Sequence, residues 1–163
     1  MQDSLSVNDE LRVQKKLIFD NFSILLSHII VKYLDRAIFQ WICGYKSLLS
    51  DDALYLTAIF DSCLFSLLNV YASQCGVLLF HNKHLTQFLG NIGFYANTGI
   101  QNRIETVIEC RQLSRPYSQK FETLGLLICL EAQKYFSQLK NNNYFHVFMK
   151  LFNPRGEHSL NCL

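Results

Sequence analysis

Helix-breaking residues are scarce in this chain, and their positions limit what it can fold into. Its 163 residues include only two prolines and seven glycines. Most of these lie at the ends of segments in which apolar residues recur every three or four positions, which is typical of amphipathic helices. No segment alternates apolar and polar residues long enough to predict a convincing strand, although residues 76–80 could form a short one. The sequence therefore predicts an all-α fold.

The apolar pattern predicts about six helices in a single domain. An apolar stripe from Leu11 to Trp41 marks the first helix, which Gly44 is expected to end. Ser50 and the two acids that follow it predict the start of the second helix, and Gly76 supplies a left-handed terminator. The predicted helices span residues 9–43, 53–75, 83–97, 101–113, 117–140 and 144–152. Residues 1–8 are expected to form a flexible N-terminus, residues 9–152 the helical domain, and residues 153–163 a polar C-terminal tail.

The predicted helix at residues 53–75 is apolar on every face. A helix of this kind is either central in a globular protein or embedded in a membrane, and its length would permit a membrane span. Asp61 near its middle, Asn69 and the amphipathic neighbouring helices favour a core helix. We therefore expect no membrane span. The helices are expected to form a compact bundle or a short HEAT-like array around residues 53–75.

The composition favours a surface that is partly covered. Apolar residues make up 50% of the chain and charged residues 17%, whereas a small soluble monomer usually has about a quarter charged residues. This shortfall indicates contact with another protein or with a second copy of the chain. The formal net charge of +2 argues against nucleic-acid binding through bulk electrostatic attraction.

The six cysteines are spread singly through the sequence, with no Cys-x-x-Cys pair. Such cysteines are expected to be buried free thiols that pack as small apolar side chains. The polar start of the sequence does not resemble a signal peptide. We therefore expect an intracellular protein in a reducing compartment, with cytoplasm and nucleus equally open.

No group of residues predicts catalysis or cofactor binding convincingly. Cys75, His81 and His84 provide three candidate ligands where a zinc site needs about four, so no metal site is expected. Gly90 and Gly93 lie within a helical pattern, where they are expected to let another helix approach closely rather than to bind a dinucleotide. Neither a nucleophile turn nor a carboxylate pair is present, so the chain is predicted not to be an enzyme.

Asp61 keeps one alternative open, because its apolar helix could raise its pKa. It could be the centre of a helical enzyme or a small-ligand carrier. It could equally be a buried hydrogen-bonded group, or mark a face of the helix that reaches solvent.

The aromatic segment at residues 144–152 is the first predicted binding site. Seven of its nine residues are apolar and four are aromatic, and so short a helix cannot be stable alone. It must dock against its own domain or insert into a partner protein. The residues predicted to bind a partner are Tyr144, Phe145, Phe148, Leu151 and Phe152.

A row of arginines is the second predicted binding site. Arg103, Arg111 and Arg115 are spaced by multiples of four, so they are expected on one side of one helix, where they could bind carboxylates or phosphates. Taken together, the sequence predicts a non-catalytic protein–protein interaction module, a subunit or adaptor that binds through an apolar helical surface. The alternative is a nucleic-acid-associated subunit that uses the arginine row.

Overall fold

The computed structural model describes residues 6–50, 52–79 and 82–152 of the chain. Within these ranges the chain forms eight α-helices and no strand, which confirms the all-α prediction. The predicted tail at residues 153–163 and the first five residues lie outside the described ranges. The helices are α1 (Val7–Lys46), α2 (Ala53–Gln74), α3 (Asn82–Gly90), α4 (Ile92–Tyr95), α5 (Thr98–Gln112), α6 (Tyr117–Lys134), α7 (Phe136–Leu139) and α8 (Asn143–Leu151).

Eight helices are found in place of about six because two predicted helices are interrupted. The segment predicted at residues 83–97 breaks at Asn91, whose side-chain amide donates to the carbonyl of Gln87 at 2.9 Å. The segment predicted at residues 117–140 breaks at Tyr135, whose backbone N–H donates to the carbonyl three residues earlier, at Ala132. Both breaks tighten one turn of the backbone, so each predicted helix becomes a longer helix followed by a four-residue helix.

Two of the predicted helix boundaries follow from local chemistry. Asp52, rather than the predicted Ser50, caps α2, because its carboxylate accepts a hydrogen bond of 2.9 Å from the backbone N–H of Tyr55. After α2, Gly76 has a φ of +76°, so the expected left-handed terminator is confirmed.

The prediction that Gly44 ends α1 was wrong. Gly44 is buried inside the helix, and a Cβ atom there would lie 2.2 Å from Cζ of Phe121. The missing side chain therefore lets the Phe121 ring of α6 pack directly on the backbone of α1.

The core is built where the C-terminal half of α1 meets α2, α6 and α8. Trp41 of α1 is buried there, and its indole N–H donates to the backbone carbonyl of Phe121 at 2.7 Å. Its ring stacks on Tyr45 and meets the edge of Phe148, both with centroids 4.9 Å apart. One aromatic cluster thus fixes α6 and α8 against α1.

The C-terminal half of α2 is surrounded by protein. Every residue from 66 to 73 is buried, and α2 packs against α1, α5 and α6. The apolar composition of this segment on all its faces is explained by these contacts.

Candidate functional site

The longest run of exposed apolar residues in the described chain lies in the N-terminal part of α1. Residues 6–25 are all exposed, and the first fully buried residue of the helix is Ile30. We call residues 7–29 the N-terminal arm. Ile18 and Phe19 are each 69% exposed, and seven further large apolar residues of the arm are also exposed: Val7, Leu11, Val13, Leu17, Phe22, Ile24 and Leu25. Monomeric proteins rarely expose such a continuous apolar surface, so it indicates an interaction site.

The arm has an apolar stripe on a different side of α1 from the core-facing side. At about 100° per residue, Val7, Leu11, Ile18, Phe22 and Leu25 form one stripe. The buried residues of the C-terminal half lie on a face roughly 150° away around the helix axis.

Polar side chains occupy the middle of the core-facing side of α1 along the arm. These are Lys16, Asp20, Ser23 and Ser27, with Phe19, Ile24 and Leu26 at the edges of that side. The apolar stripe of the arm is therefore not a continuation of the domain core, and nothing in the described part of the chain covers it.

Sequence reasoning missed this site because it treated the apolar residues from Leu11 to Trp41 as a single stripe. The signal that could have found the arm was the change of face near Ile29. A stripe that leaves the core-facing side, while polar residues replace it there, indicates two separate apolar surfaces on one helix.

The aromatic helix predicted as the first binding site is docked in the domain. Phe145, Phe148 and Phe152 are buried, Leu151 is partly buried, and Tyr144 is exposed. Phe148 and Phe152 stack with ring centroids 5.4 Å apart, and both meet the edge of Trp41. Of the two arrangements expected from the sequence, the structure has internal docking, and α8 would have to leave the core before its phenylalanines could contact a partner.

The arginine row is divided between different environments. Arg103 pairs with the buried carboxylate of Glu131 at 3.0 Å, and Arg111 pairs with Asp61 at 3.2 Å. Arg115 lies beyond the end of α5, so the prediction that all three project from one helix was wrong. Two of the three guanidinium groups are already matched by acids of the same domain, which weakens the field available to a phosphate.

Asp61 lies at the mouth of an apolar groove between α2, α3 and α5. The groove has a volume of about 340 Å³ and is lined mainly by leucine, isoleucine and phenylalanine side chains. Arg111 and Asp61 form its charged end, and the Asp61 side chain is 41% exposed. Asp61 therefore marks a face of α2 that reaches solvent, which was one of the readings left open from the sequence.

Substitution of Asp61 by Asn is expected to change the free energy of unfolding by only about 0–1 kcal/mol, because the ion pair with Arg111 is solvent-exposed and screened. Urea denaturation of the variant, with Asp20→Asn in the exposed arm as a matched control, would measure this. A decrease in the free energy of unfolding above about 2 kcal/mol would mean that Asp61 is desolvated in solution, and would support a ligand-binding role for it.

A second polar cluster surrounds Glu131 of α6, whose side chain is fully buried. Its carboxylate accepts from Gln74 at 2.5 Å, Arg103 at 3.0 Å and Lys134 at 3.2 Å. The hydroxyl of Tyr71 is buried and has no hydrogen-bond partner among the described residues. Burial and the nearby Glu131 raise the pKa of Tyr71, against a smaller opposing effect of Arg103. The cluster joins α2, α5 and α6 in the interior of the domain.

Burial works against nucleophilic activation of three of the described thiols. Cys43, Cys63, Cys75 and Cys110 are free, and burial raises the pKa of the last three, which disfavours the reactive thiolate. Cys129 is disulfide-bonded, so the expectation of free thiols was wrong at that position.

Within the described ranges, no three His, Cys, Asp or Glu side chains lie close enough together to hold a metal ion. Of the histidines considered as ligands, His81 lies outside those ranges.

Two described helices, α1 and α2, are long and apolar enough to cross a membrane on length and composition alone. A buried core helix and a signal sequence meet the same criteria, and half of the apolar window of α2 is buried inside the domain.

Comparison of the chain with known protein families, curated proteins and solved structures finds no match.

Proposed function

We propose that this chain is a non-catalytic protein–protein interaction module that binds another protein through the apolar stripe of the N-terminal arm. The observation that carries the proposal is the exposure of Ile18, Phe22 and Leu25 on a helix that extends beyond the domain core. A projecting helix with its own apolar face is the form in which proteins present a helix to a groove or to another helix.

The continuity of the arm with the domain supports this role. The arm extends the half of α1 that packs in the core, so its helix does not need a nucleus of its own. A partner would therefore not have to fold the arm on binding, which lowers the entropic cost of association.

The charge pattern of the arm favours a protein partner over a lipid surface. Residues 7–29 carry three acids (Asp9, Glu10, Asp20) and three bases (Arg12, Lys15, Lys16), so the arm has no net positive charge to attract anionic lipids. Asp20 lies among the apolar residues of the arm, and a charged side chain is costly inside a bilayer.

The second predicted function, nucleic-acid binding by the arginines, has less support. Arg103 and Arg111 are paired with acids of the domain, so they would have to exchange those acids for phosphates. The intracellular location stays a prediction from the sequence.

A photo-reactive amino acid in place of Ile18 tests the proposal in cells that produce the protein. We expect ultraviolet light to yield a covalent adduct of discrete mass with a protein. The same residue in place of Ser23, on the other side of the arm, is expected to yield little adduct. Adducts with lipid alone, or equal yields at both positions, would contradict a protein-binding stripe.

Substitution of Ile18 and Leu25 by Ser is expected to abolish that interaction without destabilising the domain, since both side chains are exposed. Helicity measured by circular dichroism and the thermal midpoint should stay close to those of the unmodified protein. A large loss of stability would show that the arm packs against its own domain in solution.

A further inference from the structure

The groove between α2, α3 and α5 has apolar walls and one charged end. One wall is a face of α2 on which three apolar residues follow Asp61 at helical spacing: Leu64, Phe65 and Leu68. Two leucines of α3 and Ile108 of α5 form the other walls. From Asp61 to Leu68 the groove extends roughly 10 Å along α2, at 1.5 Å per residue.

The groove is a gap between helices of the domain, since α3 covers α2 incompletely. Phe88 is the one buried residue among residues 83–90, whereas Leu85 and Leu89 are only partly buried. Protein interiors are otherwise packed as densely as organic crystals, so the walls of a gap of about 340 Å³ lack contacts that apolar side chains normally make. An apolar groove of this size with a few polar groups at one end is typical of a small-molecule site.

The charged end of the groove indicates the head group of the ligand. Asp61 and Arg111 pair there at 3.2 Å, so their charges balance. Arg111 uses only Nε for this bond, and among the described residues neither its Nη groups nor the second oxygen of Asp61 has a hydrogen-bond partner. A hydroxyl can donate to that oxygen and accept from an Nη group. A charged head group would be attracted by one member of the pair and repelled by the other, and would lose hydration.

We propose that this groove binds an uncharged amphiphile, an aliphatic chain with a hydroxyl head group. The chain lies along the apolar face of α2, and the hydroxyl donates to Asp61 and accepts from Arg111. Because the hydroxyl meets Asp61 at the exposed end of the groove, the carboxylate need not be desolvated in the free protein. The site is separate from the N-terminal arm, so it adds a second activity to the function proposed above.

Calorimetric titration of the full chain with three ligands of one chain length tests the head group. We expect 1-octanol to bind at a single saturable site, and octanoate and octylammonium to bind roughly tenfold more weakly. From 1-butanol to 1-hexanol and 1-octanol, each added pair of CH₂ groups should strengthen binding by roughly tenfold. Absence of saturable binding of 1-octanol, or equal affinity for the three head groups, would overturn the inference.

Substitutions at the charged end should change the preferred head group in opposite directions. Asp61→Asn leaves Arg111 unopposed, so octanoate should become the preferred ligand of the three. Arg111→Met leaves Asp61 unopposed, so octylammonium should become the preferred ligand. Unchanged preferences in both variants would show that the head group does not lie at this pair, and the proposed site would be wrong.

Substitutions in α3 test whether the chain lies in the groove. Leu89→Trp should abolish binding of 1-octanol by filling the groove, and Leu89→Ala should weaken it severalfold by removing part of one wall. Gln87→Ala, at an exposed position of the same helix that does not line the groove, is the control and should bind 1-octanol normally. Circular dichroism would check that each variant keeps its helices. If Leu89→Ala and Gln87→Ala bind equally well, the chain lies elsewhere and the inference fails.

The exposed arm requires a control of its own, because an apolar surface can adsorb alkanols. The variant with Ser in place of Ile18 and Leu25 should bind 1-octanol with unchanged affinity, although it loses the protein interaction proposed above. Loss of octanol binding in this variant would place the alkanol on the arm and overturn the inference. Octanol binding in a chain that gives no protein adduct from position 18 would support the groove and contradict only the proposed function.

Discussion

Phe148→Ala is expected to lower the free energy of unfolding by about 3–5 kcal/mol, the range for removing a fully buried aromatic ring. Phe148 has no exposed surface, meets the edge of Trp41 at 4.9 Å and stacks on Phe152 at 5.4 Å. The remaining cavity would lie where α1 and α8 meet, and the neighbouring rings cannot close it without breaking their own contacts.

Val147→Ala provides the matched control, because Val147 is the adjacent residue of α8 and is 38% exposed. Val147→Ala should lower the free energy of unfolding by about 1 kcal/mol or less. Urea denaturation followed by circular dichroism would compare the two variants, and the midpoint should fall for Phe148→Ala with an unchanged slope. Equal midpoints for the two variants would show that α8 is undocked in solution. That result would again support partner binding by the residues predicted from the sequence, Tyr144, Phe145, Phe148, Leu151 and Phe152.

The helices themselves could be predicted from the sequence because their signals are local. The helix-start signal at residues 50–52, the Gly76 terminator and the recurrence of apolar residues all act within a few positions. The two helix breaks were missed because Asn91 and Tyr135 interrupt the backbone by one turn without interrupting the apolar pattern.

The binding surface could not be predicted in the same way, because an apolar pattern shows which side of a helix avoids water but not what covers it. The aromatic residues of α8 and those of the arm both form apolar faces. Phe148 is covered by Trp41 of its own chain, whereas Ile18 remains exposed. Only the packing of distant segments distinguishes the two. The pairing of Arg103 with Glu131, 28 positions apart, was missed for the same reason.

The change of face along α1 connects the fold to the proposed function. Because the apolar sides of its two halves lie roughly 150° apart, no single surface of the domain could bury both. The core takes Leu34, Ala37 and Trp41, and the stripe around Ile18 is left for another molecule. A chain with an unusually low share of charged residues thus carries a large part of its exposed apolar surface on this arm.

Arg103→Met is expected to lower the free energy of unfolding by about 2–4 kcal/mol, because it removes the closest cation from a buried carboxylate. The Glu131 side chain has no exposed surface, whereas that of Arg103 is 32% exposed. Lys134 at 3.2 Å and Gln74 at 2.5 Å would remain, which keeps the loss below that of a wholly unpaired buried charge.

The difference in burial predicts an asymmetric double-mutant cycle. Glu131→Met should cost less than Arg103→Met, because Arg103 can turn toward solvent when the carboxylate is gone while Glu131 cannot. In the double variant, Arg103→Met should then add little to the loss in free energy of unfolding that Glu131→Met causes alone. Arg111→Met is the control, because Arg111 lies on α5 with Arg103 and its pair with Asp61 of α2 is exposed. It should lower the free energy of unfolding by about 1 kcal/mol or less. If Arg103→Met and Arg111→Met cost the same in urea denaturation, the Glu131 carboxylate is hydrated in solution, and the polar cluster does not fix α5 against α6.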